Sequence, residues 1–208
     1  MKLNQTINEI LKFLSKSTGF FLINIAVILI LFAFFANSTI KNVDVLENEL
    51  NLYFQQPANQ TSLENVQEPP RLFDVETVKG YIIMSSFIAS FLFLIGFMFV
   101  YLSSLSFLAS FYKISIHLTV NNFLAALYFN LIPDIVNKIL VHPSFQQITN
   151  GIPEEFVQEI TRIILEWIKI PVFVTVKLTI TLGIIFLIIS VTLYFMKKKA
   201  LKEEKKNK

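Results

Sequence analysis

Between Lys79 and Lys113 the chain runs for 33 residues without a formal charge. At a rise of about 1.5 Å per residue, that is roughly 50 Å of helix. No soluble fold has a use for so long a run of uncharged, apolar surface. A hydrocarbon core of about 30 Å, by contrast, is crossed by about 20 such residues. Tyr81 and Tyr101 stand 20 residues apart, the spacing of two interface aromatics on opposite membrane faces. A span is therefore expected over residues 80–101. Residues 102–113 are then a short cytoplasmic turn or an interfacial helix.

Composition supports this solvent. Hydrophobic residues make up 54% of the 208 and charged residues only 16%, against roughly a quarter charged in soluble domains. The mean hydropathy is +0.60. Too few charges remain to build a water-facing surface, which excludes a soluble enzyme, a disordered chain and a nucleic-acid-binding domain. The basic pI, near 9.0, does not rescue a nucleic-acid reading, because the basic residues flank apolar runs and form no stripe with exposed aromatics. The chain has no cysteine, so disulfides, thiol chemistry and cysteine-based metal sites are excluded.

Three further runs are long enough to cross a bilayer. The first covers residues 17–36. Its apolar part, Gly19 to Ala36, is 18 residues, longer than the hydrophobic region of a signal peptide, about 7–15 residues. Cleavage after Ala36 would also put Phe34 where a small residue is needed, so an uncleaved helix is expected. The last span covers residues 178–196. The third, 114–132, is the weakest, because it carries His117, Asn121, Asn122 and Asn130. From Ile114 to Asn121 apolar and polar residues alternate, as in a strand. A lone strand in lipid would leave its backbone groups unpaired, so a helix is expected here too.

Charge asymmetry sets the count at four. With four spans, residues 1–16, 102–113 and 197–208 share one side and carry 11 lysines in 40 residues. The other side, residues 37–79 and 133–177, carries seven basic residues in 88. That is a more than threefold difference in basic density. Under the positive-inside rule both termini are cytoplasmic. Three spans would put the lysine-rich tail, 197–208, outside. The expected fold is an all-α integral membrane protein with four transmembrane helices and amphipathic helices in two extracytoplasmic segments. Four spans with a larger second outer segment is a layout similar to that of tetraspanins. The cysteine motif of that family's outer loop is absent, and nothing of the family is carried over.

The outer segments are patterned. Ile40, Val43, Leu46, Leu50 and Phe54 recur at helical spacing, with polar residues between them. Pro57 is expected to end this helix, a polar loop to follow as far as Pro70, and Asp74 to cap the second span. In the second outer segment a short apolar helix, Asp134 to Val141, precedes a break from Pro143 to Gly151. Pro153 then opens a helix with Glu154 and Glu155 in its first turn. Its apolar stripe includes Phe156, Ile160, Ile163 and Trp167, and Lys177 stands where the chain re-enters the bilayer. These five residues are the candidate interface or partner-binding surface. The plainer reading is that the outer helices cover one another or lie on the leaflet.

Within the third span, Ser115, Thr119, Asn122 and Asn130 form a polar stripe, with Ala126 on the same face, at steps of 4, 3, 4 and 4. It is either a solute path or, more simply, a set of interhelical hydrogen bonds. Ala89, Gly96 and Ser103 recur once per heptad in the second span, as candidate close-packing positions. Catalytic motifs are missing: there is no HExxH, no GxSxG and no phosphate-binding glycine loop. His117 and His142 are far apart and lack a nearby carboxylate for metal binding. No enzyme activity, no cofactor and no metal are expected. The expected function is a non-enzymatic scaffold, assembly or accessory subunit of a membrane complex. Its partners are the lipid bilayer and other membrane subunits or a second copy, without nucleic acid. The alternative is a small oligomeric channel or transporter using the polar stripe. The cell membrane is the expected location. The lysines near the C-terminus resemble a dilysine retrieval signal, which makes the endoplasmic reticulum the alternative if the chain is eukaryotic.

Overall fold

The structure, a computed structural model, describes residues 2–54, 75–142 and 154–206. Six helices follow one another: α1 (Lys2–Lys41), α2 (Val43–Phe54), α3 (Val75–Ser104), α4 (Phe107–Asn130), α5 (Ile132–Leu140) and α6 (Glu154–Lys206). The described residues are almost entirely helical and include no strand. The alternating stretch Ile114 to Asn121 lies inside α4. A helix bonds every interior backbone group within its own segment, and that need outweighs the period-two side-chain pattern. The expected stop at Pro57, the loop to Pro70, the Asp74 cap, the 143–151 break and the Pro153 start lie outside the described residues.

Local chemistry explains the breaks. Between α1 and α2 only Asn42 intervenes. Its side-chain amide donates to the Ser38 carbonyl at 2.6 Å, and its backbone N–H donates to Thr39 at 3.1 Å. Both satisfy carbonyls that a helix end leaves without partners. The α3–α4 reversal takes two residues. Leu105 has a φ of 51°, alone among the described non-glycine residues in the left-handed region, a conformation costing roughly 1–2 kcal/mol. The Ser106 hydroxyl accepts from the Ala109 N–H at 3.4 Å, capping the first turn of α4. Pro133 stands in the first turn of α5, where a missing N–H costs nothing. Pro171 lies within α6. It cannot donate to the Trp167 carbonyl, but its own carbonyl accepts from the Thr175 hydroxyl at 2.7 Å.

The chain packs as two compact units. The first comprises Met1–Phe32, Met84–Ala126 and Lys177–Lys208; the second comprises Ala33–Ile83 and Leu127–Val176. In the first, Ile23, Val100, Ile114 and Leu118 form the core, with Phe20, Val27, Phe93, Phe97 and Phe186 against it. In the second, Val43 and Leu46 of α2 meet Ile163 and Trp167 of α6, with Leu50, Tyr53 and Ile168 around them. Four helical stretches are long and apolar enough to cross a membrane: Gln5–Leu50, Val75–Ser104, Phe107–Leu140 and Glu154–Lys199.

Candidate functional site

In the first unit α1 and α3 meet at two glycines. A Cβ built on Gly19 would lie 2.7 Å from the Gly96 carbonyl oxygen, and one on Gly96 would lie 2.7 Å from the Gly19 carbonyl oxygen. The obstacles are backbone atoms, which cannot swing away. Only hydrogen side chains let the two backbones come this close. The Ser15 hydroxyl donates to the Phe99 carbonyl at 2.9 Å beside the same contact. Ala89 and Gly96 are buried and Ser103 is half-buried, its hydroxyl turned back to the Val100 carbonyl at 2.7 Å. Gly19 is the counterpart that sequence reasoning missed. Its only signal was being the sole glycine of the first span.

Next to this crossing lies a polar cluster. Asn24 Oδ1 accepts from His117 Nε2 at 2.6 Å and from Asn121 Nδ2 at 2.5 Å. An amide oxygen can only accept, so His117 carries its proton on Nε2 here. The Phe20 ring packs against the imidazole at a tilt of 45°, with centroids 4.5 Å apart. Asn24 was also missed, although it is the only amide within residues 17–36 and polar groups in apolar helices are seldom idle. Such interhelical bonds contribute roughly 0.6 kcal/mol each on average. Two of them hold α1 to α4 only modestly, as a register device.

The polar stripe of α4 separates into two parts. Ser115, Thr119 and Asn122 are buried. Ser115 shares a hydrogen bond with Ser190 of α6 at 2.7 Å. Thr119 and Asn122 donate to the Ser115 and Leu118 carbonyls of their own helix, both at 2.8 Å. Asn130 does not join them. It is exposed and belongs to the second unit. Four steps averaging more than the 3.6 residues of a helical turn carry Asn130 about 60° around the helix from Ser115.

In the second unit, Ile163 and Trp167 are buried, Phe156 and Ile160 are half-buried, and Lys177, which belongs to the first unit, is exposed. The Phe156 ring packs on Tyr53 with centroids 5.6 Å apart. The Trp167 indole N–H donates to the Asn42 carbonyl at 2.8 Å. Much of the apolar stripe is thus spent on α2. Arg162, on the opposite side, donates to both Glu159 oxygens and to Glu166 at 3.3 Å. The hydrogen bond from Arg162, helped by its charge and opposed by partial burial, holds the Glu159 carboxyl below its ordinary value. No group of three or more His, Asp or Glu able to hold a metal occurs among the described residues.

No protein-family model, no curated protein and no solved structure matches this chain. The geometry alone must therefore carry any functional reading. What it offers is packing chemistry: a close backbone crossing, satisfied amides and an outer aromatic clasp. Every buried side-chain nitrogen and oxygen among the described residues has a hydrogen-bond partner.

The Glu159–Arg162 pair has a signed pH consequence. A carboxyl whose folded value is depressed stabilises the fold above the ordinary carboxylate range and loses that contribution as pH falls through its lowered value. Trp167 is the only tryptophan, so its emission reports on this region. It is expected to hold steady on acidification until the pH has fallen below the ordinary carboxylate range. Arg162→Gln is expected to move the change toward higher pH. An identical titration in wild type and variant would show that the pair does not couple to this fold.

Proposed function

We propose that the protein is a non-enzymatic multi-pass membrane protein that serves a larger membrane complex as a scaffold, assembly factor or accessory subunit. It sits in the cell membrane with both termini cytoplasmic. One observation carries the reading. α3 buries only Ala89, Gly96 and Val100, while Phe87 (76% exposed), Phe91, Leu94 and Met98 form an open apolar ridge on its other side. These four recur at steps of four, three and four, as a helix-packing seam would. A bulky ridge beside an already filled small-residue face is suited to a second helix, from another subunit or a second copy. The channel alternative has less support, because Ser115, Thr119 and Asn122 are occupied in packing rather than open to a path.

Mild detergent solubilisation is expected to release a discrete assembly larger than the 24.0 kDa protomer. A photo-crosslinking residue at Phe91 or Leu94 is expected to trap one defined partner chain in that assembly. A lone monomer whose crosslinks reach only lipid would sink the proposal.

Orientation has its own check. The chain has no cysteine, so single substitutions label without background. Thr6→Cys and Lys202→Cys are expected to resist a membrane-impermeant maleimide in intact cells, and Asn48→Cys and Gln158→Cys to react. The reverse pattern would invert the topology.

A further inference from the structure

Three helices of the first unit bring one lysine each to a common place. α1 and α4 are joined by the Phe20–His117 ring contact at 4.5 Å. Lys16 lies four residues before Phe20 and Lys113 four residues before His117. Each lysine is thus one helical turn from the contact, on the same side of its ring. α4 and α6 are joined by the Ser115–Ser190 hydrogen bond at 2.7 Å and by Tyr112 and Tyr194, whose rings lie 6.4 Å apart. Lys197 follows three residues after Tyr194, and its ammonium lies 5.8 Å from the Tyr112 ring. Lys16 similarly reaches over Phe20 at 6.0 Å.

Charge at this place is one-sided. Among the described segments of the unit, α1 carries Glu9, about two turns before Lys16, and α4 and residues 84–104 of α3 carry no carboxylate; α6 has Glu203 and Glu204 about two turns beyond Lys197. The Lys113 ammonium is drawn below its ordinary value, first by burial and then by the positive charges of Lys16 and Lys197. An anion placed among the three would relieve that repulsion.

An open groove runs along α1 from this cluster, lined by Phe13, Lys16, Ser17, Phe20, Phe21 and Asn24. Phe13 and Phe21 are largely exposed, at 70% and 63%. The groove therefore pairs a cationic mouth with an apolar, aromatic wall. That is the amphiphilic order of a phospholipid: phosphate at the interface, acyl chain alongside.

We propose that Lys16, Lys113 and Lys197 bind the phosphate of an anionic phospholipid whose acyl chain lies along the Phe20–Phe21–Asn24 side of the α1 groove. The proposal rests on reading the first unit's helices as membrane spans. Resistance of the reconstituted chain to carbonate extraction tests that reading separately.

Native mass spectrometry of the full chain with phosphatidylglycerol and phosphatidylcholine provides the test. Wild type is expected to retain phosphatidylglycerol at least tenfold more tightly than phosphatidylcholine. Lys16→Gln, Lys113→Gln and Lys197→Gln combined are expected to remove that preference. A charge-matched control, Lys202→Gln, Lys205→Gln and Lys206→Gln, is expected to keep it. The three Lys→Arg replacements at 16, 113 and 197 are expected to keep it as well, which separates lost binding from lost folding. Inorganic phosphate at large excess is expected to displace no lipid. Equal loss in both glutamine triples would reduce the site to general tail charge and overturn it. Displacement by inorganic phosphate would overturn the lipid assignment.

Discussion

Gly96→Ala is expected to destabilise the first unit by about 1–3 kcal/mol, the range for overpacking a filled interior. The new methyl group would meet the Gly19 carbonyl oxygen at 2.7 Å, Ile23 Cγ1 at 2.8 Å and the Ile23 nitrogen at 3.1 Å. Two of these three are backbone atoms, so relief requires α1 and α3 to move apart. Separation would also weaken the Ile23–Val100 contact in the core. Gly19→Ala meets the mirror-image obstacle, the Gly96 carbonyl oxygen at 2.7 Å with Val100 beside it. Once one alanine has pushed the helices apart, the second has less left to disrupt, so the double variant is expected to cost less than the sum. Gly80→Ala is the control. Nothing lies within 4 Å of its added Cβ, and alanine gains up to roughly 1 kcal/mol of helix propensity over glycine. Reversible unfolding in mixed detergent micelles measures all four. If Gly96→Ala matched Gly80→Ala, the close crossing would be refuted.

The second large effect belongs to Trp167. Trp167→Ala is expected to cost roughly 3–5 kcal/mol in the second unit, as for other buried aromatic truncations. The ring is 8% exposed and packs with Val43, Leu46 and Ile163. Its N–H also serves the Asn42 carbonyl, at the one-residue break between α1 and α2. Trp167→Phe keeps most of the ring and removes that donor. It isolates the hydrogen bond, worth about 0.5–1.5 kcal/mol, because the Asn42 carbonyl still accepts from the Leu46 N–H at 3.4 Å. Hydrogen exchange of α2 amides is the direct readout. Alanine is expected to accelerate exchange across Val43–Phe54, and phenylalanine chiefly near Asn42. Protection unchanged in both variants would mean that α2 does not depend on this clasp.

The two predictions separate what pattern reveals from what packing decides. Charge-free run lengths mark four apolar helical stretches, and the helicity of the described residues is what a bilayer would require, since lipid offers the backbone no other partner. The turn residues emerge only in the structure: Asn42, Ser106 and Pro133 each satisfy or spare a backbone group where a helix stops or starts. The spacing of Val43, Leu46 and Leu50, and of Ile163 and Trp167, marks two amphipathic faces. It does not say that they meet each other. Ala89 and Gly96 read as a close-packing stripe, but Gly19, alone in its span, carried no pattern that named it as the partner.

Sequence by itself determined the number of helices long and apolar enough to cross a membrane, the clustering of lysines beside them and the faces each amphipathic helix presents. These depend on composition and period, which each segment carries alone. Tertiary structure decided which faces pair: Gly19 with Gly96, Asn24 with His117 and Asn121, Ser115 with Ser190, and Trp167 with Asn42. The physical reason is that an apolar helix surrounded by apolar surface has no hydrophobic preference for one neighbour over another. Phe87 points outward and Val100 inward, yet both are equally apolar on the page. Pairing then falls to fine steric fit and a few hydrogen bonds, which exist only once two segments distant in the chain have come together.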